Sequence, residues 1–312
     1  MNGERATWGA ALLTVLACGG DTLDENALVT PRVETVAGPL PAGSGGMEVD
    51  AAGNVYMADF GATLQGPPGP SVWRISPNGR VEEWATGLVG ASGNAFSADG
   101  TLLQSNIGSG TVSRIAPDGT VSTLAEGLRG PVGIAMAPGD TALVVECGAG
   151  SIRKVATDGT VSAFVEADSL LQCPNGITRA SDGNYYVANF YNGDVLRVTP
   201  EGMVTRFLTL PGANNGHILF GNGVLYVVAR SAHRVYEVTL AGDTTLLAGS
   251  GERGLTDGPA HSATLSLTND LALSPDGSML YFNDVGPGED GTWADDGGRT
   301  LAPVWVRRVV LR

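Results

Sequence analysis

Pro131-Val132-Gly133-Ile134 opens a stretch that runs through Leu143-Val144-Val145-Glu146 and Ser151-Ile152-Arg153-Lys154-Val155 to Ala156-Thr157-Asp158-Gly159-Thr160-Val161. Short alternating runs separated by glycine-bearing turns are the signature of β-strands. Asp158-Gly159 supplies the positive-φ residues that a tight hairpin requires. The same order of features recurs on both sides. Upstream, Ala91-Ser92-Gly93 leads through Asp99-Gly100 and Leu102-Leu103-Gln104-Ser105-Asn106 to Asp118-Gly119. Downstream, Pro174-Asn175-Gly176-Ile177 leads through Asp182-Gly183 and Tyr185-Tyr186-Val187-Ala188-Asn189 to Glu201-Gly202, and Asn215-Gly216-His217-Ile218 opens a further unit. The outermost units begin at Gly46-Met47-Glu48-Val49-Asp50 and Asn269-Asp270-Leu271. Unit starts at Gly46, Gly93, Gly133, Gly176, Gly216 and Asp270 lie 40 to 54 residues apart. Six units of four antiparallel strands predict an all-β, six-bladed β-propeller over residues 31–312. A helical solenoid is excluded by the turn density, and a β-sandwich does not explain the repeat.

The last unit supplies three strands, near 271–274, 279–283 and 304–311. Arg32-Val33-Glu34-Thr35-Val36-Ala37 resembles the fourth strand of a unit, so residues 32–37 are expected to close the ring as the outer strand of blade six. Such closure removes a weak edge.

Composition agrees. The chain holds 46 glycines and 17 prolines in 312 residues, without the three-residue period of collagen, and its 43% hydrophobic content suffices for a core. The net charge is −14 and Lys154 is the single lysine. An acidic chain without a basic run lacks the electrostatic footprint of a nucleic-acid binder. The scattered acids read as solubility rather than as a surface for a cationic partner.

Residues 1–17 read as a signal peptide: a short polar start, then an apolar stretch from Ala6 to Ala17. That stretch is too short to span a bilayer, which takes about 20 residues. Val15-Leu16-Ala17-Cys18 resembles the lipobox of bacterial lipoproteins, which implies lipidation of Cys18 and a tether over residues 18–30. An ordinary cleaved signal and a retained start are the alternatives. The resemblance implies an envelope protein, attached to the membrane only through its lipid. Gly19 rather than Asp after the cysteine favours the outer membrane. Beyond such a signal the compartment is oxidising, so Cys147 and Cys173 read either as a disulfide or as two reduced core thiols.

Within each blade the Asp-Gly turns fall at the first and third hairpins and are short and uniform. The irregular insertions 61–71, 249–267 and 285–303 fall in the other connections and therefore share the opposite face. Variable loops on a rigid scaffold are where binding and catalysis concentrate. Two rings of residues are expected to point at that face. One flanks the innermost strands: Gly45, Ser92, Val132, Asn175, Asn215 and Asn269. The other ends the second strands: Asp59, Asn106, Glu146, Asn189, Ala229 and Asp284. Converging oxygens near an axis suit a hard cation such as Ca²⁺ rather than zinc. The competing reading is that Asn and Asp here only stabilise turns.

The units resemble the NHL-repeat and gluconolactonase (senescence-marker-protein) group of six-bladed propellers. Gly254-Leu255-Thr256-Asp257-Gly258-Pro259-Ala260-His261-Ser262-Ala263 looks like the NHL signature. Pro174-Asn175-Gly176-Ile177 is similar to the segment that supplies an Asn to the catalytic calcium of gluconolactonase-like enzymes. Asn269-Asp270-Leu271 resembles the Asn-Asp pair of paraoxonases. The resemblance implies calcium held by Asn175, Asn269 and Asp270, with Asn215 next. It departs at Gly45, where gluconolactonase-like enzymes carry a Glu.

Two function classes follow. One is a calcium-dependent hydrolase of a lactone or ester, in which Glu146, His217 or Asp284 activates water. The other is a non-catalytic module that binds a protein or glycan on the loop face. A lyase like virginiamycin B lyase is a third possibility, though its catalytic pattern is not recognisable. No Gly-x-Ser-x-Gly elbow supports a serine esterase. A monomer is expected.

Overall fold

The computed structural model describes residues 30–212 and 214–311. The signal peptide, Cys18 and all but the last residue of the expected tether lie outside the described residues. The remainder is a ring of six antiparallel sheets, and hence a six-bladed β-propeller. Blade three shows the pattern: Pro131–Ala137 nearest the axis, then Thr141–Glu146, Ser151–Val155 and Val161–Val165 outward. The innermost strands of the other blades are Met47–Val49, Ala91–Phe96, Pro174–Arg179, Asn215–Gly221 and Leu271–Leu273.

The burial follows from the architecture. The second strand of a blade is covered on both faces by neighbouring blades, so Leu102–Asn106 and Tyr185–Asn189 are buried at every residue. The outermost strand Val121–Ala125 is covered only in part and exposes Ser122 and Thr123. Between blades three and four, Leu143, Val145 and Ile152 pack against Ile177, Val187 and Leu196. Each interface of this kind is a separate apolar layer, and the six layers form the core.

Ring closure occurs as the repeat requires. Arg32–Leu40 pairs antiparallel with Val304–Val310 as the fourth strand of blade six, with Val33 opposite Val309. The strand is longer than the sequence suggested. It is also covered on its outer edge by the two-residue strand Gly258–Pro259 from the NHL-like segment. Asp257 fixes that cover: its carboxylate accepts from Thr35 N (2.8 Å) and Thr35 Oγ1 (3.1 Å). On its other side, Arg307 donates to Asp257 Oδ1 at 2.9 Å.

Around the axis the innermost strands make a narrow waist. A Cβ at Gly46, Gly93, Gly133, Gly176 or Gly216 would fall less than 3.0 Å from backbone atoms of the next blade, in its innermost strand or, for Gly216, at Asn269 just before it. Glycine at one level of five blades lets these backbones meet. At the sixth unit start stands Asp270, whose carboxylate accepts from Met47 N of blade one (2.7 Å) and from Leu271 N (2.7 Å).

Candidate functional site

The insertions do lie together on one face, and they are knitted to one another. Thr63 bridges to Thr300, Leu64 N donates to Arg299 O (2.9 Å), and Leu301 N donates to Ala62 O (2.8 Å). Arg253 donates to Ala294 O (2.8 Å) and lies 4.8 Å from the Trp293 ring centroid. The result is a collar over blades six and one, beside a cavity of about 300 Å³.

The floor of that cavity is polar and uncharged: Ser44, Ser92, Asn175 and Asn269. Its walls are Phe60, Leu64, Ile107, Val132, Phe190 and Leu301, with the Cys147–Cys173 disulfide joining blades three and four. Tyr191 is two-thirds exposed at the opening, unusual for so large a side chain. Arg230 is the one charged lining residue among those described. It is buried, donates to Gly298 O (3.2 Å) in the collar, and lies 5.8 Å from the Phe190 ring centroid. Burial, and then the nearby Arg253 charge, lower its pKa to about 10, so it stays a cation at neutral pH.

The first expected ring is largely where the sequence put it. Ser92, Val132, Asn175 and Asn269 line the cavity, whereas Asn215 is fully buried and donates to Asp194 O (3.2 Å). The second ring requires correction. Asp59, Asn106, Glu146, Asn189, Ala229 and Asp284 are all buried and none lines the cavity. For five of the six the cavity receives instead the residue that follows, Phe60, Ile107, Cys147, Phe190 and Arg230, whereas Val285 after Asp284 packs in the core. Consecutive residues of an extended chain point oppositely, so an offset of one exchanges a polar ring for a mainly apolar one with Arg230 as its single charge.

The two carboxylates expected to activate water are therefore engaged elsewhere. Glu146 accepts from Arg129 N (2.6 Å), from Arg153 Nε (3.0 Å) and from the Ser151 hydroxyl. Asp284 accepts from Arg307 at 2.7 Å, from Ser266 N (3.2 Å) and from the Thr268 hydroxyl. Desolvation pushes the Asp284 carboxyl up to about 6, against the pull of Arg307.

His217 and Asp270 sit below the waist. They line a second chamber of about 250 Å³, which reaches residues from all six innermost strands, including Glu48, Asn94, Ile134 and Thr178. The waist lies between the two spaces: Gly93 follows Ser92 above and precedes Asn94 below, and Gly133 and Gly176 divide their neighbours in the same way. In the chamber His217 Nδ1 meets Asp270 Oδ2 at 3.1 Å. Burial, and then the Asp270 charge, push the Glu48 carboxyl up to about 8.

The calcium set implied by the family resemblance is thus divided. Asn175 and Asn269 are on the upper floor, where Asn175 Nδ2 donates to Asn269 Oδ1 (3.4 Å) and Asn269 Nδ2 donates to Ser44 O (2.8 Å). Asp270 turns to the other side. A side chain at Gly45 would begin less than 3.0 Å from backbone atoms of Ala91 and Ala58, so this backbone leaves no room for the family's Glu there. Neutral oxygens without a carboxylate are a poor match for Ca²⁺.

Residues 103–231 match the family model described as SMP-30/Gluconolactonase/LRE-like region. No curated protein sequence matches the chain. Among solved structures, a gluconolactonase from Xanthomonas campestris aligns with a TM-score of 0.67 at 14% identity, over 91% of each chain. Virginiamycin B lyase from Staphylococcus aureus aligns at 0.60 and 15%, over 90% of this chain and 100% of that one. An auxiliary nutrient binding protein from Bacteroides ovatus aligns at 0.69 and 16%, over 90% of this chain and 76% of that one. Identities this low speak to the fold. Together with the repeat and the ring, they make the molecule a six-bladed β-propeller whose residues 103–231 carry the SMP-30/gluconolactonase/LRE-like pattern.

Proposed function

We propose that the chain binds a small, largely apolar molecule carrying an anionic group in the loop-face cavity, with Arg230 as the counter-charge. One observation carries this reading: apart from Gln65 and Arg230 the walls are aliphatic, aromatic or disulfide, and no described lining residue is a carboxylate or an imidazole. Apolar walls with few convergent polar groups are the usual make-up of a ligand pocket. Hydrolysis would need a base within reach of the substrate, and the described lining supplies none. The binding class weighed at the sequence level is retained, with a small molecule in place of a protein or glycan.

A panel of aromatic and branched aliphatic carboxylates, titrated calorimetrically into the full chain, tests the reading. Binding should weaken at least tenfold in Arg230→Met and fall in Tyr191→Ala. Turnover of a lactone or aryl ester that stops with chelator and returns with Ca²⁺ would overturn it in favour of the hydrolase. A lipid on Cys18 would hold the cavity at the envelope. Palmitate labelling that persists in Cys18→Ser would remove that part of the proposal.

A further inference from the structure

The chamber below the waist has a chemistry of its own, independent of the upper cavity. Asp270 accepts the Nδ1 proton of His217. In the tautomer that this contact selects, Nε2 is an acceptor. That nitrogen is buried and has no hydrogen-bond partner, in a residue only 5% exposed. Asn94 is oriented in the same way. Its Nδ2 donates to Gly46 O and Gln104 Oε1, both at 3.3 Å, which leaves Oδ1 as a second buried acceptor without a partner. Glu48 brings a carboxyl to the same space, and the aliphatic walls include Ile134, Ile177 and Leu219. Arg179, exposed at the end of its strand, contributes a cation toward the hairpin-face opening.

Unpaired buried acceptors are costly unless a donor reaches them. Here the surplus is of acceptors, and the chamber's acidic groups are Asp270 and Glu48. The complementary ligand brings several N–H donors and a positive charge on a small apolar body. A metal ion is the weaker match, since no three His, Cys, Asp or Glu side chains among the described residues are grouped to hold one. We propose that the lower chamber is a site for a small primary ammonium compound, its N–H groups directed at His217 Nε2, Asn94 Oδ1 and the Glu48 carboxylate.

The sequence contains three histidines, so ¹⁵N-histidine labelling of the full chain gives a simple spectrum for the test. Titration with n-butylammonium at about pH 9, where Glu48 is ionised and the amine still carries its proton, should shift the His217 Nε2 resonance saturably. Tetramethylammonium, which has the charge but no N–H donor, should leave it in place. Affinity should fall at least tenfold in Glu48→Gln and in Asn94→Leu, with folding checked by circular dichroism. Arg230→Met should bind n-butylammonium as the parent does, which separates this site from the upper cavity. The proposal is overturned by the absence of a saturable shift, by an equal response to tetramethylammonium, or by unchanged affinity in both folded chamber variants.

Discussion

Arg307 is fully buried, and its two terminal nitrogens make four hydrogen bonds. It donates to Asp284 (2.7 Å), Asp257 (2.9 Å), Thr264 O (2.8 Å) and Thr256 O (3.0 Å), and so binds the NHL-like insertion to blade six. Removing one partner of a buried ion pair leaves the other charge uncompensated, at a cost of about 3–5 kcal/mol. Arg307→Met should lose that much in denaturant unfolding, and Arg307→Met with Asp284→Leu should lose less. Glu48 gives a pH signature. Its folded carboxyl lies near 8, above the ordinary 4.5, so protonation favours the folded chain. The groups that face it are Asp270, His217 and Arg179. Its contribution is fully present below about pH 4.5 and is lost as pH rises through about 8. The melting temperature should therefore fall more steeply over that window than in Glu48→Gln, and equal slopes would refute the assignment. The sequence located Asn175 and Asn269 because unit starts align across the repeat. It misplaced Glu146 and Asp284, which turn into the blades, because one residue decides the face at a strand end.

At the level of elements, the repeat was legible because each blade is the same local solution. Alternating runs and Asp-Gly turns are short-range signals, and five unit starts carry a glycine where neighbouring backbones must meet. The closing strand was legible by its likeness to other fourth strands, although its length to Leu40 and its cover by Gly258–Pro259 were not. That cover depends on Asp257 reaching Thr35, 222 residues away in sequence, which no local pattern encodes. Deleting residues 31–38 should lower the melting temperature by more than about 10 °C, since a strand inside a five-stranded sheet and its apolar layer around Val33 are lost. An unchanged melting temperature would show that the ring does not need this strand.

For the whole molecule, the waist leaves two separate cavities rather than one tunnel. The set of polar residues near the axis is split by it: Asn175 and Asn269 line the loop-face cavity, while His217 and Asp270 line the hairpin-face chamber. The sequence shows that these residues are near the axis, but height along an axis depends on how neighbouring blades stagger. The Cys147–Cys173 bond joins two blades across a sequence separation of 26 residues. A loop of that size should be worth about 3 kcal/mol, so Cys147→Ser with Cys173→Ser should lower stability by that order in chemical denaturation. The closing strand has a mechanical consequence as well. It directly follows the N-terminal segment, so any tension transmitted through that segment loads Arg32–Leu40 before any other strand. The strand is gripped on both edges, by Val304–Val310 and by Gly258–Pro259. How long the ring survives a steady pull is then set by the barrier to detaching this one strand, not by the stability of the other five blades.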